Sequence, residues 1–306
     1  MKRALNIIGH RKIFLWIAGV LVLFSIIFPF IFGFRTTVDF SGGTMWQIKL
    51  ENPKTTSQEI GELFKSQNTN ALVTQDSSGA FILRFSEISE ADHQKFVGLL
   101  QEKFGDFEEL RFESLSPSIG KELKNKSIWA MILALVAISL YVAWAFRKVS
   151  YPLKSWKYGV IVLVSLFHDA IIPIGAFSVL SRFLNIEIDP TFIAAILAVM
   201  GFSVNDTIIV FDRIRENLTR LSIKGGFDQI VNQSVNETLA RSINTTLTVV
   251  FVLLALYFLG PTSLHNFSLV FLIGTIAGAY SSIFVASPLL VEWHNRGKRQ
   301  VVGGKR

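Results

Sequence analysis

The stretch Thr191–Phe211, TFIAAILAVMGFSVNDTIIVF, decides how the rest of the chain is read. It is apolar over about the 20 residues that a helix needs to cross roughly 30 Å of hydrocarbon, and it carries Asp206. The apolar residues Ile208, Ile209, Val210 and Phe211 continue past the acid. That argues against a helix ending at the headgroups and puts the carboxylate inside the membrane. An ionisable group at such depth costs at least a few kcal/mol and marks a partner, a watery path or a proton relay.

Working outward, half of the 306 residues are hydrophobic, and Phe alone occurs 27 times against 23 acidic residues. Mean hydropathy is +0.45. Apolar runs near 13–32, 127–146, 158–180, 191–211, 243–260 and 267–291 predict six membrane spans. There is no cysteine, which excludes disulfides and thiolate chemistry.

The net charge of +7 is topogenic. Lys2, Arg3, Arg11 and Lys12 precede the first span. Arg147, Lys148, Lys154 and Lys157 fill one connection, and Arg213, Arg215, Arg220, Lys224 and Arg241 another. Arg296, Lys298, Arg299, Lys305 and Arg306 form a basic tail, whereas 181–190 holds only Arg182 and 261–266 holds none. By the positive-inside rule both termini are cytoplasmic. The organisation expected is a cytoplasmic N-terminus 1–12, a first span 13–32, an exported segment 33–126, a five-helix region 127–291 with a cytoplasmic loop 212–242, and a cytoplasmic tail 292–306. A nucleic-acid role is not expected, and neither cofactor nor metal is called for. The first span is too long for a signal-peptide core and lacks a small-residue cleavage site, so it reads as a retained anchor.

The exported segment predicts a small α+β domain. Thr44 to Leu50 alternates as a strand, and Thr56-Ser57-Gln58-Glu59 is a capping box opening a helix through about Gln67. Ala71–Thr74 and Ala80–Phe85 read as strands around Ser77-Ser78-Gly79. Ser89 caps a helix with Phe96, Leu99, Leu100 and Phe104 at helical spacing, and Phe107 to Leu115 alternates again. This βαββαβ order is ferredoxin-like. His93 is expected on a solvated helix face rather than at a metal, and binding is expected of this domain rather than catalysis.

Polar residues inside the spans fall in stripes. Ser203, Asp206 and Arg213 share one side of the fourth span, with Asn205 and Asp212 in the adjacent row. Arg241, Asn244, Thr245 and Thr248 share one side of the fifth, and His168-Asp169 lies midway along the third. An Arg241–Asp206 relationship is expected, against the plainer reading in which Arg241 snorkels to lipid phosphates. Gly274, Gly278 and Ser282 on the sixth span, and Ala194, Ala198 and Gly201 on the fourth, are assigned to close helix packing.

The stretch Gly201–Glu216 closely resembles the signature of the SecF family, subunits of the bacterial SecDF protein-export complex. Val38-Asp39-Phe40-Ser41-Gly42-Gly43, Ser116-Pro117-Ser118-Ile119-Gly120-Lys121-Glu122-Leu123, and Asn236–Thr246 resemble further family motifs in the same order. The resemblance implies a non-enzymatic member of the resistance-nodulation-division superfamily in the bacterial inner membrane. It implies pairing with SecD, action at the SecYEG translocon with YajC as an associated protein, and preprotein export driven by the proton-motive force. It also associates Asp206 and Arg241 with proton transport and makes Asp39, Phe40, Gly42 and Gly43 a coupling joint between membrane and domain; the polar stripes add Asn205, Asp169, His168 and Asp212 to the expected proton path.

Desolvation disfavours an ionised carboxylate and a nearby guanidinium favours it, so an Asp206 that gains and loses Arg241 could alternate between two protonation states. A proton crossing 100 mV releases about 2.3 kcal/mol, enough to bias a two-state domain position by almost two powers of ten but too little to unfold a substrate in one step. Two other classes stay open: a non-conducting scaffold held by its charges, and an intramembrane aspartyl protease using Asp169 and Asp206. The flanks of those acids lack the Tyr-Asp and Gly-x-Gly-Asp patterns of such proteases.

Overall fold

A computed structural model describes residues 5–51, 55–76, 79–147, 154–184, 186–220 and 226–303, with side chains as far as 297. The turn residues Ser77 and Ser78, and the basic residues Lys2, Arg3, Lys148, Lys224, Lys305 and Arg306, lie outside them. The chain divides into a small unit, Thr36–Ile128, and a helical unit made of the remainder.

In the small unit, a one-turn helix α2 (Val38–Ser41) leads into β1 (Gly43–Leu50), α3 (Ser57–Ser66), β2 (Leu72–Gln75), β3 (Phe81–Phe85), α4 (Glu90–Phe104) and β4 (Phe107–Leu115). The four strands form an antiparallel sheet in the order β2-β3-β1-β4, the ferredoxin-like arrangement expected from the element order. The capping box forms as read: Glu59 N–H donates to Thr56 Oγ1, and Thr56 N–H donates back to Glu59. Two hydrogen bonds from Thr56 hold the Glu59 carboxyl below its usual range, the backbone N–H first and the hydroxyl second. Alternation puts Phe81, Leu83 and Phe85 inside with Trp46, Ile48, Ile60, Phe64, Phe96 and Leu100. Phe64 meets Phe85 and Phe96 edge-on at 5.1 Å.

His93 corrects one expectation. It is 5% exposed, stacked on Phe112 at 3.8 Å and edge-on to Trp46 at 4.7 Å. Its Nε2 lies 2.9 Å from Glu109 Oε2, the atom that also accepts Trp46 Nε1–H. The ring is one turn before Phe96 on the apolar face of α4, and aromatic stacking with a charged partner at the rim makes that burial tolerable.

Six helices among the described residues are long and apolar enough to cross a membrane. They are α1 (Arg11–Phe32), α5 (Pro117–Ala145), α6 (Ser155–Leu184), α7 (Pro190–Arg220), α8 (Phe227–Leu259), and a composite last helix of α9 (His265–Ser281), a π-turn (Ser282–Ala286) and α10 (Ser287–Gly303). Two boundaries differ from the hydropathy reading. α5 starts at Pro117, a residue pre-shaped for the first helical position, so the Ser116–Leu123 motif forms its first turns. Residues 212–242 are mostly helix: α7 runs to Arg220 and α8 begins at Phe227. At 1.5 Å per residue, the 31 residues of α7 span about 46 Å and outrun the hydrocarbon by some ten residues. Ion pairs take over from apolar burial there. Arg213 and Arg220 hold Glu216, and Arg213 Nε reaches Glu237 of α8 at 2.5 Å.

α6, α7 and α9 form the inside of the helical unit. A side chain at Gly175 of α6 would collide with the Ser25 backbone of α1, and one at Gly274 with Val199 of α7. At Gly278, a Cβ would stand 3.0 Å from Ser203 Cβ. These two α9 glycines pack as expected. Gly201 does not. It is exposed with nothing within 4 Å of a built Cβ, because the inward row of α7 is Ala195, Val199, Ser203 and Asp206. The chain's start is tied to α8 by amides: Asn236 Oδ1 accepts Leu5 N–H, and Asn232 Oδ1 accepts Ile8 N–H. Arg11 Nε donates to Glu292 of α10 at 2.7 Å.

Candidate functional site

Helical spacing turns Asp206 of α7 inward with Ser203, and turns His168 and Asp169 of α6 toward the same interior. Asp169 is fully buried, and Asp206 and His168 are each 3% exposed. Asp206 Oδ1 accepts Ser242 Oγ–H from α8 at 2.9 Å, and Oδ2 accepts Ser282 Oγ–H at 2.9 Å. Asp169 Oδ2 accepts the hydroxyls of Ser203 and, at 2.6 Å, Ser281. Its Oδ1 lies 2.8 Å from His168 Nδ1. Two carboxylates on neighbouring helices are therefore held by consecutive serines of the last helix. Those serines sit where α9 gives way to the π-turn, an irregularity frequent at functional sites.

Among the described residues no Lys or Arg makes an ion pair with either carboxylate. Arg241, expected beside Asp206, is exposed, as are Asn244, Thr245 and Thr248. The inward row of α8 is Thr238, Ser242 and Thr246, so the residue that reaches Asp206 is the one after the arginine. Arg241 instead lines a polar recess of 330 Å³ with Asp212, Arg213, Glu216 and Glu237. Asn205 is exposed, and Asp212 pairs with Arg215 at 3.6 Å, outside the buried cluster. Of the expected path residues, the structure thus brings together Asp206, Asp169 and His168, and leaves Arg241, Asn205 and Asp212 at its outer rim. The sequence reading overlooked Ser242 and Ser281 and gave Ser282 to packing. A signal existed in Ser281 and Ser282, one helical turn after Gly278, and in Ser242, directly after Arg241.

The coupling motif belongs to the small unit. Asp39 Oδ2 accepts Thr37 Oγ1–H at 2.8 Å, and Phe40 is buried. Gly42 and Gly43 adopt φ of +73° and +109°, a region in which only glycine is unstrained. A Cβ at Gly42 would strike the backbone of Pro117, and one at Gly43 would stand 2.6 Å from Phe85 O. One at Gly120 would stand 2.9 Å from Gly42 N. The Asp39–Gly43 and Pro117–Gly120 motifs, far apart in sequence, interlock through backbone.

Six apolar helices, two of them bearing buried carboxylates, interrupted by a ferredoxin-like domain, define a multi-pass membrane protein. Residues 96–296 match the family model described as protein export membrane protein SecD/SecF, C-terminal. The chain is 41% identical to the protein translocase subunit SecF of Thermobaculum terrenum over 95% of both chains. It is 36% identical to that of Anaerolinea thermophila over 96% of this chain and 97% of the relative. The crystal structure of SecDF from Thermus, described as a translocon-associated membrane protein, superposes with a TM-score of 0.81 at 31% identity. The match covers 96% of this chain and 39% of that one, so this chain spans well under half the length of that protein. The chain belongs to the SecF family of protein translocase subunits, whose business is protein export.

Proposed function

We propose that the chain works with a separate SecD half at the SecYEG translocon, using the proton-motive force to draw preproteins outward, with Asp206 as the proton carrier. The observation that carries this reading is a carboxylate buried in a membrane helix whose donors, among the described residues, are the hydroxyls of Ser242 and Ser282, with no Lys or Arg paired to it. Such a group can gain or lose a proton with little rearrangement of its partners, whereas a carboxylate locked in an ion pair cannot. Arg241 enters the reading as a residue of the adjoining recess, which meets Asp206 only in another arrangement of α7 and α8. The outward face of α7, with Ala194, Ala198, Gly201 and Asn205, suits close approach of a partner helix and is where SecD is expected. In this reading both termini are cytoplasmic, the small unit is exported, and YajC is an accessory of the assembly.

A scaffold reading would have charge pairs holding the helices together, and the serine-lined carboxylates do not favour it. A protease reading needs two carboxylates on one water, and here each has its own pair of serine donors. The test is proton flux in vesicles carrying the SecDF–SecYEG assembly. Asp206→Asn should abolish proton-dependent preprotein release at unchanged membrane abundance. Full release by that variant would refute the carrier role.

A further inference from the structure

We propose that Asp169 is a second proton-binding carboxylate, coupled to Asp206 through Ser281 and Ser282, whose hydroxyls switch between carboxylate and backbone. The inference rests on reading Asp206 as a proton carrier and adds a second site and its readout.

Each serine has two acceptors within reach of its single hydroxyl hydrogen. Ser281 Oγ stands 2.6 Å from Asp169 Oδ2 and 3.2 Å from the carbonyl of Gly278. Ser282 Oγ stands 2.9 Å from Asp206 Oδ2 and 3.2 Å from the carbonyl of Ala279. An ionised carboxylate is the stronger acceptor, so it takes the hydrogen. When a proton reaches His168 Nε2 and the Nδ1 proton passes to Asp169 Oδ1, the carboxyl is neutral, its Oδ2 accepts less strongly, and the Ser281 hydrogen turns to Gly278 O. When the proton leaves, the serine turns back. At the acid one O–H bond forms and breaks, and at the imidazole one N–H bond is gained as another is lost. Protonation of Asp206 turns Ser282 toward Ala279 O in the same way. Both carbonyls lie in the last turn of α9, directly before the π-turn, so the two protonation states are written into the backbone hydrogen bonds of one helix segment.

A second observation points to Asp169 itself. His168 Nε2 is buried with no hydrogen-bond partner among the described residues, while Nδ1 faces Asp169 Oδ1. The imidazole can therefore accept a proton at Nε2 and release one at Nδ1 without breaking a protein hydrogen bond. The titratable groups facing Asp169 are His168 on its own helix, Asp206 from α7, and Tyr280 from α9, whose ring lies 6.1 Å from that of His168. The Tyr280 hydroxyl is already engaged by the carbonyl of Phe14 on α1.

The test is infrared difference spectroscopy of the full chain in lipid vesicles during pH titration, reading the C=O stretch of protonated carboxyl groups. Two buried signals are expected, one lost in Asp206→Asn and the other in Asp169→Asn. A hydrogen bond to a charged group is worth enough to move a titration by about one pH unit. Ser281→Ala should therefore move the Asp169 midpoint by about that much and the Asp206 midpoint far less, and Ser282→Ala the reverse. These serine variants leave both acids in place, so they remain informative if Asp169→Asn fails to accumulate. An Asp169→Asn spectrum identical to that of the unmodified chain, an Asp206→Asn change that leaves the Asp169 midpoint unmoved, or a Ser281→Ala change that leaves it unmoved, overturns the proposal while leaving Asp206 as a carrier. Loss of a signal in Asp169→Asn but of none in Asp206→Asn would overturn the carrier reading and the coupling with it.

Discussion

Substituting alanine at Gly42, Gly105 and Gly120 separates the two demands that the interlocked motifs place on backbone. Gly105, which ends α4 at φ +86°, has nothing within 4 Å of a built Cβ, so alanine there meets the left-handed penalty alone, about 1–2 kcal/mol. Gly120 lies in the first turns of α5 with no unusual φ, but its Cβ would press on Gly42 N at 2.9 Å and on Phe40 C and O at 3.1 Å. Alanine there meets crowding alone, typically about 1–3 kcal/mol, offset by roughly 1 kcal/mol of better helix propensity. Gly42 meets both, and its neighbour is the Pro117 backbone rather than a flexible side chain, so about 3 kcal/mol is expected. Native-state proteolysis of the small unit in the full chain reads the population of its open form, and each 1.4 kcal/mol is about tenfold. Gly42→Ala should speed cleavage roughly a hundredfold, and each of the other two by about tenfold or less. If Gly42→Ala were cleaved no faster than Gly105→Ala, the interlock with Pro117 would not exist and the two motifs would be independent linkers.

Three further outcomes are expected. Single cysteines replacing Lys95 on α4 and Arg220 at the end of α7, in a chain that has no other thiol, should react with an impermeant reagent from opposite sides of the membrane; labelling of both from one side would contradict the six-span topology. The Glu59 carboxyl titrates below the ordinary glutamate range in the fold because Thr56 donates to it, so its contribution is fully present above that ordinary range and is lost as pH falls through the lower folded value; the stability difference between the unmodified chain and Glu59→Gln should vanish in acid, and a pH-independent difference would deny the capping box its charge. Arg241→Lys should impair proton-dependent release without lowering abundance, because lysine lacks the planar fork; loss of abundance in Arg241→Ala and Asp206→Asn with recovery in the double change would instead mark a structural pair.

The apolar runs and the alternating strands made six spans and a ferredoxin-like sheet legible before any coordinates, because burial and period are what sequence records most directly. Hydropathy could not register the outer turns of α7 and α8, where Arg213, Glu216 and Glu237 replace hydrocarbon burial with ion pairs. At the site, Asp206 was legible because a lone acid in an apolar run has few explanations. Its partner was not. A polar stripe in a membrane helix invites an inward reading, yet Arg241, Asn244, Thr245 and Thr248 face out while Ser242 and Thr246 face in, and only the rotation of α8 decides which row is buried. His93 carried a usable signal, since it stands three residues before Phe96 on the buried row, but residue type outweighed spacing. The Ala194-Ala198-Gly201 seam could be recognised as small without revealing that Ala194 and Gly201 stay exposed among the described residues.

The five residues Ser282–Ala286 also govern everything downstream of them. A π-turn accommodates one residue more than an α-helix would in the same rise, and each residue corresponds to about 100° of helical rotation. Closing all five into regular α-helix, with no residue lost, would swing α10 by about that angle. Glu292 would leave Arg11, Trp293 would leave Trp156, now 5.4 Å away, His294 would leave Phe227, and Asn295 would leave Asp228. Substitutions that press this turn into regular α-helix should therefore be purged over evolutionary time as strictly as changes to the acids themselves, while a one-residue deletion within the turn, which closes the helix in the same rise, keeps α10 in place.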